Sequence, residues 1–411
     1  MQLRPLVDRE PARARRIRRA RTDAPRPDAA LPRVAHVVRA YGEISEGFIV
    51  DGVREVERFG WESWVVATTV RGGRSAAFPP SERVLAGLRP SVARRLADRA
   101  CLRSSADRRS SWLGPPLAAT RPTVVHAHFG WAAADVRLAA RRLGVPLVAT
   151  FRGSDLTVFP GYSRLYRDYR SLFRQLDCAI CISEFLAAKL RGYGFRGHIS
   201  VVPTGISLDQ FPFRGALAPG DVVRLLFVGR LVPVKGLDVL LRAFAIASRE
   251  DPRLVLDIVG DGPERAASEL LAERLSIDRR VTFLGERPRD GVLAALRNAH
   301  LFVMPSTTSA SGQTEGLGNV QKEAMAVGLP VVATRAGGIP ETIPAAQRDE
   351  FVPAGDHEAL AKRILATLGE ADRWPERAAH ARAWVEETFA WPPLARRLTD
   401  IYDAAWKGQR V

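Results

Sequence analysis

From Thr123 onward, short apolar runs alternate with amphipathic stretches, and this alternation limits the fold more than any other feature of the chain. Thr123–Phe129, Pro146–Phe151, Cys178–Ile182 and Ile199–Val202 read as strands, with Ala132–Leu143, Arg164–Leu176 and Phe185–Tyr193 between them as helices. Strands that alternate with helices in this way build a doubly wound α/β sheet. The pattern starts again after residue 213, with strands Val223–Val228, Leu254–Gly260, Val281–Gly285, Leu301–Met304 and Val331–Thr334. An amphipathic helix runs from about Leu237 to Ser248, and another covers Asn319–Val327. At 411 residues the chain exceeds what one core usually supports. Two such domains are expected, 33–212 and 213–385, linked by Phe213–Val222, with residues 386–411 carrying a last helix over Leu394–Trp406. Ahead of the clear pattern, Arg33–Arg39 begins a strand, a helix ends near Gly60, and Trp64–Val70 is a second strand. Residues 1–32, rich in Arg, Pro and Ala, read as a disordered or loosely helical basic tail. The Gly-, Ser-, Pro- and Arg-rich segment from Arg71 to Arg121 is the least legible and is expected to hold one helix near Ser91–Arg103.

Two strand ends in the second half carry chemistry. The run Leu301–Met304 leads through a loop containing Glu315, Gly316, Leu317 and Gly318 into the helix that starts at Asn319 and Val320 and carries Glu323. The glycines let backbone N–H groups approach a bound molecule, and paired carboxylates suit the vicinal hydroxyls of a ribose or a hexose. Upstream, Val223–Val228 ends in Gly229-Arg230-Leu231-Val232-Pro233-Val234-Lys235-Gly236 before a helix. A helix mouth with two cations five residues apart is an anion site that suits a diphosphate. In the first half two loops at strand ends point to a cleft, His126-Ala127-His128-Phe129-Gly130 and Phe151-Arg152-Gly153-Ser154-Asp155. His126 and His128 share one face of a strand, but no third ligand lies near them in sequence, so no metal is expected. His128, at the strand end, is the better candidate to touch an acceptor or a sugar.

Taken in order, these segments resemble the donor site of the retaining glycosyltransferases of the GT-B fold, family four. The resemblance rests on the Glu-x7-Glu pair Glu315/Glu323, the turn from Gly229 to Gly236, Val259-Gly260-Asp261-Gly262-Pro263, Gly328–Thr334, and Gly337-Gly338-Ile339-Pro340-Glu341. It covers the chain from about Val34. It implies two Rossmann-like domains facing a central cleft, and a tail that crosses back to cover the first domain. It also implies transfer of a sugar from a nucleotide-diphosphate sugar, with Glu323 on the ribose and Arg230 and Lys235 on the diphosphate. Glu315 and the N–H groups of Gly316, Leu317, Gly318 and Asn319 would then hold the sugar, and Gly229 and Val320 complete the donor set. Catalysis falls to Glu315, Arg230 and Lys235 by electrostatic stabilisation, with no metal and no cofactor beyond the co-substrate. Tyr41–Phe48 resembles the S-E-x-F-I segment of the branch that builds bacterial exopolysaccharides, which puts Ser45 and Glu46 on the acceptor side with His128, Arg152 and Asp155. The chain departs from the pattern at Arg152, where relatives show His, and at Thr204 and Ser207, where they show Asn and Asp. Arginine keeps its proton in a protein, so Arg152 is no general base.

Charge is uneven. Residues 1–212 hold 35 Lys+Arg against 19 Asp+Glu, and residues 213–411 hold 26 of each, so the net +16 lies in the first half. That half is expected to face something anionic: a phospholipid surface, a lipid-diphosphate acceptor or nucleic acid. A plain Arg-rich surface also accounts for it, since 56 of 61 basic residues are Arg. No nucleic-acid motif is present. No apolar run approaches a membrane span, and the N-terminus lacks a signal-peptide core, so a cytoplasmic enzyme is expected, peripheral at the inner membrane face at most. Cys178 and Cys181 lie three apart in a strand and read as buried thiols. A sugar-nucleotide epimerase of the same architecture and a catalytically inactive polyanion- or membrane-binding scaffold are the competing functions.

Overall fold

Residues 31–41, 47–70, 83–85, 105–158 and 163–409 are described by the computed structural model, and Leu31–Val411 form one unit. The first sheet contains β1 (Arg33–Tyr41), β2 (Glu62–Val70), β3 (Val84–Leu85), β4 (Val124–His128), β5 (Leu147–Phe151), β6 (Cys178–Cys181) and β7 (Ile199–Val201), in the order β3-β2-β1-β4-β5-β6-β7. The second contains β8 (Val223–Val228), β9 (Leu254–Val259), β10 (Val281–Gly285), β11 (Leu301–Met304), β12 (Val331–Arg335) and β13 (Val352–Pro353), in the order β10-β9-β8-β11-β12-β13. Every pairing is parallel. The fold expected from the alternation is therefore present twice. β4, β5, β6 and β11 are buried at every position, because helices cover both faces of a parallel sheet. This is why their sequences are continuous apolar runs rather than alternating ones.

In each sheet the winding direction reverses between two strands, β1 and β4 in the first and β8 and β11 in the second. Loops that leave neighbouring strands at such a point diverge to opposite faces and open a crevice at the carboxyl ends. The loops after β8 and β11 are the two that carry Arg230, Lys235 and Glu315.

The tail covers the first sheet. Trp391, Leu394, Leu398, Ile401 and Tyr402 share a buried cluster with Val34, Trp61, Val124, Val148 and Ile180. The crossing falls at Ala390, which bridges to Ile206, and the Ile206 N–H donates to the Phe389 carbonyl at 2.8 Å. The last helix begins at Trp391, three residues earlier than expected, with Pro392 and Pro393 in its first turn. Proline costs nothing there, because first-turn N–H groups have no helical partner.

Some expectations meet a different outcome. A helix at Ser105–Ala119 lies in the segment that was hard to read, hidden by Pro115 and Pro116 within it. The expected helix at Ser91–Arg103, the basic tail to residue 30, and Ser45 and Glu46 lie outside the described residues. Among the described residues no helix is long and apolar enough to cross a membrane. Cys178 and Cys181 are buried and free, and burial pushes the Cys178 thiol up to about 11.

Candidate active site

The loop after β8 leaves the sheet through Gly229, whose N–H donates to the Val259 carbonyl at 2.9 Å, and turns through Pro233–Lys235 into the helix Leu237–Glu250. Gly236 joins turn to helix with φ 64°, and a Cβ there would lie 2.1 Å from the Pro305 carbonyl oxygen. Only glycine tolerates both the left-handed backbone and that approach. The Thr307 N–H donates to the Val234 carbonyl at 2.8 Å, so the two switch-point loops are laced together. Lys235 is thereby set beside Glu315, with Nζ 2.7 Å from Oε1.

On the far side of the loop, Gly316 touches the first half of the chain. A Cβ on it would come within 2.3 Å of the Arg152 carbonyl oxygen. Between the two halves opens a cleft of about 600 Å³. It is lined by Gly229, Arg230, Lys235, Glu315, Gly316, Leu317, Asn319, Val320, Glu323 and Arg152. The four residues Arg230, Lys235, Glu315 and Glu323, spread over 94 positions of sequence, thus face one space. Gly318 does not line it; it caps the helix Asn319–Val327.

Glu323 lines the same space. Burial pushes its carboxyl up to about 7, against the pull of Arg289 and Lys322 and with a smaller push from Asp51. Arg289 in turn pairs with Asp51 across the cleft, Nη2 to Oδ2 at 3.0 Å. Lys322 is 1% exposed, donates to the Thr204 carbonyl at 2.5 Å, and lies 4.9 Å from the centre of the Phe389 ring. Burial brings its ammonium down to about 7.

The first-half loops correct two expectations. Asp155 does not face the cleft. It is fully buried, with Oδ2 accepting from the Gly130 N–H at 2.8 Å and Oδ1 from the N–H groups of Arg152 at 3.0 Å and Gly153 at 2.8 Å. A carboxylate spent on three backbone donors is an organiser of two loops. His128 is also buried and stands behind Arg152, with its Nδ1 3.0 Å from Nη2. Arg152 lines the cleft itself, held further by Thr204 Oγ1 at 3.3 Å and by the face of Phe48 at 4.7 Å.

A third histidine does lie near His126 and His128. His36 sits opposite His126 in the β1–β4 register, and the three rings form a buried cluster with ligand atoms within 4.8 Å of one another. Spacing along one strand does not show a partner on the neighbouring one. The hydrogen bonds argue against a metal here. Arg152 has only protons to offer, so His128 Nδ1 accepts and the His128 proton must sit on Nε2. That Nε2–H points at His36 Nδ1, 3.1 Å away, and His36 Nε2 faces Ser63 Oγ at 3.5 Å. His126 spends its nitrogens on Tyr402 Oη at 2.6 Å and Thr150 Oγ1 at 2.7 Å. These bonds commit the lone pairs a cation would need, and a guanidinium stands beside the cluster. Burial, chiefly, holds all three rings neutral; His36 falls to about 3.

Sequence reasoning passed over Lys322, Asp51 and Trp131, which line the cleft together with Phe129 and with Arg289, at the end of the segment Glu286–Arg289 that the resemblance gives to the base. Phe129 holds φ 74°, and its ring stacks on Trp131 with centroids 4.8 Å apart. None of these has a spacing signature. Their roles come from the approach of elements distant in sequence.

Two doubly wound sheets facing each other across a charged cleft, with cations and carboxylates gathered at the switch point of the second, define a GT-B glycosyltransferase. Residues 46–210 match the family model described as Glycosyltransferase Family 4, and residues 211–383 the one described as Glycosyl transferases group 1. The chain belongs to this glycosyltransferase family. The putative colanic acid biosynthesis glycosyltransferase WcaL of Escherichia coli (strain K12) is 32% identical over 289 residues, covering 69% of this chain and 71% of that protein. The amylovoran biosynthesis glycosyltransferase AmsK of Erwinia amylovora is 33% identical over 281 residues, covering 67% and 69%. Among solved structures, sucrose-phosphate synthase from Thermosynechococcus elongatus superposes with a TM-score of 0.72 at 19% identity over 92% of this chain and all of that one. HepE of Anabaena, solved with UDP and glucose, gives 0.70 at 19% identity, covering 91% of this chain and all of that one. At such identities the structural likeness speaks to the fold.

Proposed function

We propose that this glycosyltransferase moves a sugar from a nucleotide-diphosphate sugar to a glycan or lipid-linked acceptor in the assembly of a bacterial exopolysaccharide, with retention of configuration and without a metal. The observation that carries the reading is the convergence of Arg230, Lys235, Glu315 and Glu323 on one cleft. The names of WcaL and AmsK, both from exopolysaccharide pathways, support the product class. Glu323 binds the ribose hydroxyls. Arg230 and Lys235 take the diphosphate, for which Lys235 exchanges Glu315 for phosphate oxygen. Glu315 and the N–H groups from Gly316 to Asn319 then hold the sugar. The bond from the sugar C1 to the phosphate oxygen breaks and the bond to the acceptor oxygen forms on the same face. The acceptor proton passes to the departing phosphate oxygen. The two cations stabilise the charge that builds on the leaving group, and preorganised stabilisation of this kind supplies most of the rate enhancement in many enzymes. The acceptor enters along Phe129 and Trp131 from the basic half, which also favours an anionic membrane surface.

The test is transfer by Lys235→Ala and Glu323→Ala. Each is expected to lose about a hundredfold or more in turnover while the chain still folds. Wild-type turnover in both overturns the reading. A new epimer formed from donor alone would move the chain to the epimerases.

A further inference from the structure

The first sheet has two ends, and the cleft accounts for one of them. Trp131 after β4, Arg152 after β5, Ile182 after β6 and Thr204 after β7 line the cleft at the carboxyl ends of these strands. The same four strands are neighbours in the sheet, and at their amino ends every incoming connection carries an exposed arginine. Arg121 precedes β4, Arg141 and Arg142 close the helix Gly130–Leu143 before β5, Arg174 precedes β6, and Arg191 and Arg196 precede β7. Neighbouring strands lie about 5 Å apart, so the four connections gather at one pole of the sheet.

Local sequence explains how the arginines are turned outward. Along the helix Ser163–Phe173 and the turn after it, Tyr169, Leu172 and Leu176 are buried in the core, while Arg167, Arg170 and Arg174, spaced three and four apart, form the exposed stripe. Each helix end favours a cation on its own, and four of them at one pole add up to a field that none needs alone. Asp177 is the carboxylate within these connections, and its Oδ2 accepts from the Leu147 N–H at 2.8 Å. Apolar surface lies among the charges. Leu143 is 39% exposed beside Arg142, and Leu31, at the amino end of the neighbouring β1, is 61% exposed. The aromatic rings of the same connections are turned inward: Phe195 is buried, and Tyr193 Oη donates to the Leu156 carbonyl at 2.9 Å. No base-stacking platform therefore faces out here, as a single-stranded nucleic acid needs. Guanidinium groups around exposed leucines suit a phospholipid surface, where the forks meet phosphate and the leucines enter the boundary between headgroup and acyl chain.

We propose that this pole, with Arg121, Arg142, Arg174 and Arg196 around Leu143, docks the chain on an anionic phospholipid surface. The proposal rests on the affinity for such a surface given above to the basic half, and it names the face that carries it. The cleft opens at the other end of the strands. A chain docked by this pole holds its active site off the lipid by at least the length of the five-residue strands β4 and β5, about 17 Å, and leaves the cleft open to a glycan end that stands clear of the membrane.

The experiment is co-sedimentation of the full chain with vesicles of phosphatidylcholine alone and of equimolar phosphatidylcholine and phosphatidylglycerol, with UDP and GDP binding measured alongside by calorimetry. The mixed vesicles are expected to bind about tenfold or more tightly than the neutral ones, and added salt should weaken them. Changing Arg142→Gln, Arg174→Gln and Arg196→Gln together should cost about a hundredfold in vesicle affinity, and Leu143→Ser alone about tenfold. Nucleotide affinity and the circular dichroism spectrum should stay those of the wild type, which shows that the variants fold. Mixed vesicles bound no better than neutral ones overturn the pole together with the affinity of the basic half for membranes. Binding that survives the triple change overturns the pole alone. Poly(U) that displaces the chain from mixed vesicles at equal phosphate makes the face a general polyanion site and overturns the choice of lipid. All three leave the donor site standing, whereas a wild-type chain that binds vesicles and no nucleotide overturns the donor site and keeps the pole.

Discussion

Where the second-sheet wall of the cleft presents its charged side chains to the open space, the first-sheet wall turns most of its polar groups on one another. Arg230 is exposed, and Lys235 and Glu315 pair with each other on the lining of the cleft. Opposite them, Asp155, His36, His126 and Tyr402 are buried and bonded to backbone or to each other, and Arg152 is the charge they deliver to the surface. The first arrangement suits a ligand whose charged part is always the same, such as a diphosphate. The second is a scaffold that holds one guanidinium, that of Arg152, at the cleft. On that contrast, damage to the first-sheet wall disturbs the fold, and damage to the second-sheet wall disturbs nucleotide binding.

The largest effect on stability is expected from Asp155→Ala. It leaves the N–H groups of Gly130, Arg152 and Gly153 buried without an acceptor. Each such donor costs about 1–3 kcal/mol, so a loss of about 3 kcal/mol or more is expected in chemical denaturation of the variant. Nucleotide affinity at the second-sheet wall should remain near that of the wild type. A large drop in nucleotide affinity with unchanged stability would mean that Asp155 acts at the ligand, and the contrast between the walls would fail.

The same contrast governs what the sequence disclosed. The second-sheet wall was legible because its residues come from two loops, 229–236 and 305–323, each adjacent to a strand whose apolar run marks it. Charge, glycine and spacing all lie close together in sequence there. The first-sheet wall was not legible, because it is assembled from strands far apart in sequence. His36 meets His128 across 92 positions and Tyr402 meets His126 across 276. Lys322 was missed for a different reason. It sits next to Glu323 in sequence, yet the group it serves, Thr204, lies 118 residues away. The fold itself was readable because continuous apolar strands with helices between them leave little choice of architecture, and the helix at Ser105–Ala119 escaped only where two prolines broke the pattern.

A second effect concerns pH. Burial raises the Glu323 carboxyl from an ordinary 4.5 to about 7. A raised carboxyl is protonated in the free protein on the acid side of that value, and the ionised form is the stronger acceptor for ribose hydroxyls. Donor affinity should therefore rise between about pH 6 and pH 8, by up to an order of magnitude, with proton release on binding measurable by titration in buffers of different ionisation enthalpy. The stability of the free protein should move the other way. The contribution of this group is fully present below 4.5 and is lost as pH rises through about 7. Lys322, lowered from 10.5 to about 7, has the opposite sign, with its contribution present above 10.5 and lost as pH falls through about 7. Glu323→Gln should flatten the affinity profile and remove the carboxyl's share of the stability change between 4.5 and about 7. A donor affinity that is flat across this range in the wild-type chain would place the ribose away from Glu323.

The smallest effect tests how the two walls are held together. Glu341, on the loop after β12, reaches the first half and accepts from the N–H groups of Glu184 at 2.7 Å and Phe185 at 2.8 Å. These are the first amides of the helix Glu184–Gly192, and Ser183 Oγ accepts from the Leu186 N–H in the same turn. The carboxylate is therefore a helix cap supplied from the other half of the chain, favoured both by the bonds and by the positive end of the helix. Removing it in Glu341→Ala should cost about 1 kcal/mol. The more telling readout is the separation of the halves, because an exposed cap of this strength can be exchanged for water. Small-angle scattering of the variant should show a larger radius of gyration than the wild type without ligand, and the same radius once nucleotide sugar is bound. Equal radii without ligand would mean that Arg289–Asp51 and Lys322–Thr204 hold the cleft by themselves, with the Glu341 cap serving the helix alone.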